Sequence, residues 1–390
     1  FYFYNFWVKQ NLEDFYRANI LSFLMTFFIV ATISCAEAVT ITVDDDIEGA
    51  NYKSIQDAVD NATNGDTVLV YPGNYTENVY VNKELTITSL SENPVDTIIH
   101  AANSEDNVFN IIADNVTISG FGISGAGTDQ YGDDKAGIYF EGVNNSVIKN
   151  NNFSSNGYGI SLLDSYNNTL TDNSAYMSTI GGIFLWNSSK NKVDNNLINA
   201  IKHQGIFIYT FSNNNEISNN TVNYSRSGID LVYCENNTIV NNTISNTFSG
   251  ILLIESNCSS LINNVVKLND WSGIDLEYSA ENTLYNNTAS FNNNNGIYLV
   301  ESSDNRLDHN NASNNMGYGI NINNSSRNNI LTGNIANSNG KENIHVVDPE
   351  NNTINGSANS PAQELPFRGF VLAIIAITTI ALIFRKRGYK

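Results

Sequence analysis

A glycine followed by isoleucine returns at Gly137, Gly159, Gly182, Gly205, Gly228, Gly250, Gly273, Gly296 and Gly319, at steps of 22 or 23 residues. Asn343-Ile344 extends the series by one step of 24. A fixed period in this range describes a solenoid, whose repeats cannot bury their apolar residues alone and must stack on one another.

Each repeat has its own order. An aliphatic residue stands two places after the isoleucine, at Leu162, Leu185, Ile208, Leu231, Leu253, Leu276, Leu299 and Ile322. This alternation reads as a short strand with one apolar face. Ten to twelve residues after the glycine comes a second apolar position: Val147, Leu170, Val193, Ile217, Ile239, Leu261, Leu284, Leu307 and Ile330. Some five residues later comes a third: Phe153, Ala175, Val222, Ile244, Val266, Ala289 and Ala312. Three short strands per lap, each ended by polar turn residues, describe a parallel β-helix with coils about 4.8 Å apart. A leucine-rich repeat has an overlapping period, but it needs clustered leucines and a helical or extended return. Here the apolar residues are single and often β-branched, and no part of the repeat has helical spacing.

Asparagine pairs recur between the expected strands, at Asn167-Asn168, Asn236-Asn237, Asn241-Asn242, Asn263-Asn264, Asn286-Asn287 and Asn328-Asn329. Asparagine tolerates the left-handed backbone of a sharp corner. Its amide can also bond the equivalent residue one coil away, as a ladder. The glycine before each isoleucine is expected to relieve crowding at another corner.

Residues 39–136 read as a less regular start of the same object. "VTITV" (39–43) and "TVLVY" (67–71) alternate like strands. Between them Ile55, Ala58, Val59 and Ala62 have helical spacing behind Ser54, a candidate N-cap, so a helix here can plug the open end of the core. The stretch "YKSIQDAVDNATNGDTVLVYPGNYTENVYVNKELTITS", with the glycine-isoleucine repeats behind it, resembles the right-handed parallel β-helix proteins of the NosD and pectate-lyase-like superfamily, and is similar to cell-surface proteins of methanogenic archaea. The resemblance implies an all-β fold: a right-handed, single-stranded parallel β-helix of about a dozen coils over residues 39–358. It implies no single activity, because that superfamily includes lyases, glycosidases, epimerases, copper-handling accessory proteins and inert surface proteins.

Both ends carry membrane signals. Residues 20–34 form an apolar run preceded by Lys9 and Arg17 and followed by Ala36-Glu37-Ala38, which predicts a signal peptide over 1–38 cleaved after Ala38; a membrane-spanning helix is the alternative. Residues 1–19 are open to being a gene-model extension. After a linker (359–366), the apolar run 369–384 and Arg385-Lys386-Arg387 predict a C-terminal transmembrane helix or sorting tail over 367–387, with the basic cluster inside the cell. The sequence between is then expected at the cell surface, tethered to the cytoplasmic membrane. A formal net charge of −20 argues against nucleic acid as a partner.

The candidate chemistry sits on the outward positions of the glycine-isoleucine strand. Phe184, Trp186, Phe207, Tyr209 and Tyr298 are candidate sugar-binding aromatics, and Asp230, Asp275 and Glu277 are weak catalytic candidates. Asp230 and Asp275 fall two coils apart, about 9.6 Å at 4.8 Å per coil, near the upper end of an inverting glycosidase pair. Any two outward acids would meet that spacing, and no polygalacturonase-like or lyase-like motif accompanies them, so they read as solvated surface residues. Asp230, Glu255, Asp275 and Glu277 are carboxylates of the kind that bind Ca²⁺, and no other cofactor is indicated. The histidines share no repeat position, which gives copper delivery little support. Cys234 and Cys258 lie in neighbouring coils, at offset positions that suit free thiols as well as a disulfide. Eighteen N-x-Ser/Thr sequons occur, among them Asn61, Asn74, Asn115, Asn187, Asn223, Asn257 and Asn355, many of them by-products of the Asn-Asn-Thr corner. The leading expectation is a non-catalytic cell-surface protein for adhesion or carbohydrate binding, with glycans or envelope proteins as partners. A polysaccharide lyase or glycoside hydrolase and a NosD-like accessory protein for metal delivery are the alternatives.

Overall fold

Short strands of β-branched and leucine residues, most of them in the regular laps closed by a left-handed residue, wind the chain into a right-handed parallel β-helix. The structure, a computed structural model, describes residues 38–46, 49–127, 134–323 and 325–359. Apart from Ala38 and Asn359, the expected signal peptide, linker and C-terminal anchor lie outside these residues. Among the described residues no helix is long and apolar enough to cross a membrane.

Three parallel sheets form the coil, and beyond isolated bridges at Asn311 a two-stranded pair, Ile335–Ala336 with Ala358–Asn359, continues the smallest of them. Sheet I has fourteen strands, from Thr40–Val43 to Thr353–Asn355. Sheet II has ten, from Gly73–Thr76 to Thr288–Ser290. Sheet III has twelve, from Val79–Val81 to Ile344–Val346, and carries the glycine-isoleucine strands. Each lap passes from sheet III to sheet I to sheet II. The early laps already follow this plan: sheet I registers advance by 27, 19, 31 and 30 residues before settling to 22 between Val147 and Thr169. Their irregularity is one of loop length, and loops of different length can close on the same ladder.

Identical positions stack, so Ile206, Ile229, Ile251 and Ile274 form one buried column and Ile208, Leu231, Leu253 and Leu276 another. Each such side chain contributes about 1.5–3 kcal/mol by leaving water. Two expected inward residues are displaced by one place. In the second strand Ile148 and Leu331 are buried, whereas Val147 is half-buried and Ile330 is 40% exposed. Both stretches offer two adjacent apolar residues, and the pairing of Ile148 with Leu170 and of Leu331 with Leu307 decides between them. The same ambiguity at Leu197-Ile198 is settled with Ile198 inside.

The asparagine pairs divide two tasks between their members. The first residue is left-handed and exposed, with φ of 58° at Asn167 and 57° at Asn236 and Asn241. The second turns inward. Asn242 Oδ1 accepts from the backbone N–H of Asn220 at 2.9 Å, and its Nδ2 donates to the Ile217 carbonyl at 2.8 Å and to Asn264 Oδ1 at 3.0 Å. This ladder runs from Asn151 to Asn334. A parallel row of serines, including Ser188, Ser212, Ser256 and Ser279, serves the corner between sheets III and I, with Cys234 taking one serine's place. Cys234 is therefore buried, Cys258 occupies an exposed left-handed position, and both are free thiols. The repeated glycine is needed for space: a Cβ on Gly250 would stand 2.2 Å from the Gly273 carbonyl oxygen and 2.3 Å from Val266.

Helix α1, Ile55–Asn61, caps the core as expected. Ser54 accepts from the Asp57 N–H at 3.3 Å, and the Glu77 carboxylate accepts from the N–H groups of Ile55 and Gln56, so the first turn is satisfied. Ile55, Ala58 and Val59 are buried on the side facing the first strands.

Candidate functional site

The outer surface of sheet III concentrates the side chains with chemistry. Parallel, in-register strands place like positions side by side, so a sequence with aromatics at the same offset in successive coils stacks them. Phe184 faces Phe207 and Trp186 faces Tyr209 across neighbouring strands. The rings of Phe184 and Phe207 stack at 5.3 Å, and Tyr158 stacks on Phe184 at 5.1 Å. Beside them Trp186, Tyr209 and Tyr233 form a second row at 6.1 and 6.3 Å, edge to face. Trp186 and Tyr233 are each 46% exposed. Aromatic surface open to solvent in a contiguous block is a recognition surface more often than a packing device.

Tyr158 was not a sequence candidate, because it precedes its glycine instead of following it. Its partner position in the next coil is Gly181, whose missing Cβ would lie 2.8 Å from the Tyr158 ring. The doubled Gly181-Gly182 is the signal that marks this cradle. Tyr139, Tyr158, Ser161, Phe184 and Trp186, with Asp134 and Lys135 at the rim, line a groove of about 480 Å³. Burial holds the phenols of Tyr139 and Tyr158 at about 12, so both remain neutral donors. Of the five aromatic candidates, four belong to this block. Tyr298 does not: it lies across the sheet between Asp275 and Asn321.

The acids differ from expectation. Asp230 and Asp275 occupy outward positions but are not solvated, being 5% and 3% exposed. The cause is the height of their neighbours. Asp230 sits between Phe207 and Leu252, and Asp275 between Leu252 and Tyr298, so each short carboxylate is shaded by longer side chains on adjacent strands. Burial raises both to about 7; Ser227 and Arg226 oppose the rise at Asp230, and Ser272 opposes it at Asp275 while Glu277 adds to it. Ser227 donates to Asp230, whereas Oδ1 of Asp275 has no hydrogen-bond partner. Gln204, Arg226, Ser227, Asp230, Phe248, Ser249 and Leu252 line a second groove of about 350 Å³. Asp275 and Glu277 do not line it. Leu252 stands between the two aspartates, so the structure does not unite the three catalytic candidates in one cleft.

Among the described residues no three of His, Cys, Asp and Glu come together as metal ligands, so Asp230, Glu255, Asp275 and Glu277 do not assemble a Ca²⁺ site. Expected sequon residues Asn61, Asn74, Asn115 and Asn355 are exposed, and Asn187, Asn223 and Asn257 are half-buried.

Two family models match. Residues 209–360 match the periplasmic copper-binding protein (NosD) model, and residues 77–244 the right handed beta helix region. A cell surface glycoprotein of Methanothermus fervidus is 39% identical over 102 residues, which are 26% of this chain and 15% of that protein. The chain thus spans a small part of that relative's length. Among solved structures, the A-module of a mannuronan C-5 epimerase of Azotobacter vinelandii superposes with a TM-score of 0.66 at 18% identity, covering 79% of this chain and 95% of that one. The catalytic domain of a GH87 α-1,3-glucanase in complex with tetrasaccharides gives 0.62 at 16% identity, covering 84% and 70%. At these identities the likeness is one of fold.

Copper is tested by the donors present. Copper sites favour clustered imidazole and sulfur ligands. In the matched segment His309 is bonded to Asp308, His345 to Glu342, and Cys234 is buried with its thiol pushed up to about 12. These donors lie on separate coils, and the described residues do not fit a copper site.

Proposed function

We propose that this right-handed β-helix repeat protein, related over part of its length to an archaeal cell-surface glycoprotein, is a cell-surface carbohydrate-binding protein that acts without catalysis. The observation that carries the reading is the double aromatic row on sheet III. Its stacked faces run across successive coils, next to an open groove with polar rim groups. Sugar rings present C–H faces to such platforms while their hydroxyls reach tyrosine, serine and charged neighbours. The separation of Asp230 from Asp275 and Glu277 favours holding a polymer over cleaving it.

The test is calorimetric titration of the purified protein with a panel of neutral and acidic polysaccharides, alongside Phe184→Ala/Trp186→Ala. Binding that disappears in the double variant, with no new reducing or unsaturated ends released, is the expected result. No binding to any polymer by a folded protein would sink the proposal.

One observation favours an enzyme as the second reading: a buried Asp230 raised to about 7, in a groove with Arg226. A neutral carboxyl there suits a general acid. Product release abolished by Asp230→Asn would replace the binding reading with this one.

A further inference from the structure

We propose that the corner asparagines Asn167, Asn219, Asn236, Asn241 and Asn286 carry N-linked glycans, which line both edges of sheet I and leave sheet III bare. The proposal does not depend on what sheet III binds. It rests on where the fold puts each sequon. All five open an Asn-Asn-Thr triplet. In each triplet the first asparagine is exposed and left-handed, the second is buried with its Oδ1 accepting a backbone N–H from the preceding coil, and the threonine begins the next strand. The side chain is thus held at the outer corner by a neighbour anchored in the core; Nδ2 of Asn219 donates to Asp194 and Nδ2 of Asn286 to Asn263, surface bonds that glycosylation would exchange. Asn167 and Asn236 lie between sheets III and I; Asn219, Asn241 and Asn286 lie between sheets I and II.

The corner itself does not require the threonine. At equivalent third positions the chain places Glu216, Leu197, Val265 and Ile330. The corner between sheets II and III makes the same test in reverse. It has left-handed residues followed by inward ones, yet Asn246-Thr247-Phe248 and Asn314-Asn315-Met316 complete no sequon, and in Asn223-Tyr224-Ser225, which does, the asparagine is half-buried at the strand end with its Oδ1 accepting from Ser245. No strand of sheet III contains one either. Three other sequon asparagines have their side chains turned into the fold: Oδ1 of Asn152 and of Asn311 is buried, and Asn257 Oδ1 accepts from the Ala280 N–H.

The reaction is glycosyl transfer. The Asn Nδ2 forms a bond to the anomeric carbon of a sugar on a glycosyl phosphate donor. The anomeric C–O bond to phosphate breaks, the phosphate leaves with the electron pair, and one amide proton passes to a base. Both the donor and the transferase come from the cell.

The experiment is site-resolved glycopeptide mass spectrometry on the full chain, expressed in an archaeal host that N-glycosylates its surface proteins. Three or more of the five corner sites should be occupied, with Asn152 and Asn311 bare. Thr243→Ala, which spares Asn241 and its corner, should remove one glycan mass and leave the circular dichroism spectrum unchanged. Fewer than three occupied corner sites, or Asn152 and Asn311 occupied as fully as the corners, would overturn the proposal. So would retention of the Asn241 glycan in Thr243→Ala.

Discussion

Replacing Asp230 or Asp275 with asparagine is expected to stabilise the protein at pH 8 and to do almost nothing at pH 4. Both carboxyls are buried, and burial raises each from 3.8 to about 7. A folded pKa above the unfolded one means that the folded state holds its proton longer. Stability from this source is complete below the unfolded value of about 4, falls as pH rises toward 7, and is flat beyond. The rise corresponds to about 4 kcal/mol per group, lost by pH 8. An amide has nearly the same shape but no charge to desolvate, so each variant should recover about 2–4 kcal/mol after the desolvation of its N–H groups. Taken over the roughly 300 described residues, unfolding entropy near 2.1 cal/mol/K per residue turns this into about 3–6 °C of Tm. The assay is thermal unfolding of wild type and each variant between pH 4 and 8, read as the difference between them. That subtraction removes the general repulsion of an acidic surface. A difference that does not change with pH, or that is largest at pH 4, would refute the account of how these carboxylates are buried.

The inward ladder should be worth more than the outward corner. Asn242→Ala strands the Asn220 N–H and the Ile217 carbonyl and is expected to cost about 2–4 kcal/mol, whereas Asn241→Ala loses only left-handed tolerance, about 1 kcal/mol; urea unfolding compares them. Gly250→Ala should destabilise by about 1–3 kcal/mol or more, since its Cβ meets backbone oxygen that cannot rotate away. Leu268 is exposed and left-handed, with φ of 58°, so Leu268→Asn should raise the urea midpoint by relieving about 1 kcal/mol of strain.

The period, the three apolar positions and the asparagine corners made the coil legible in the sequence, because every lap repeats one physical solution. The choice between Val147 and Ile148 was not legible: two adjacent apolar residues satisfy the pattern equally, and only pairing with Leu170 decides. The site was legible where it depends on a fixed offset, as for Phe184 with Phe207 and Trp186 with Tyr209. It was not legible where it depends on the height of neighbours. Asp230 and Asp275 read as surface acids because the strand points them outward, and the shading by Phe207, Leu252 and Tyr298 appears only when coils are stacked. Tyr158 escaped for a related reason, since its place depends on the space left by Gly181 one coil away.

The central claim is that the aromatic rows of sheet III hold sugar. Calorimetric titration of wild type and of Phe184→Ala/Trp186→Ala with the polysaccharide that wild type binds most tightly tests it directly. The account predicts at least a tenfold loss of affinity, about 1.4 kcal/mol or more, with Tm changed by only a few degrees because Trp186 is nearly half exposed and Phe184 lies on the outer surface of the sheet rather than in the core. Unchanged affinity in a folded double variant would contradict it.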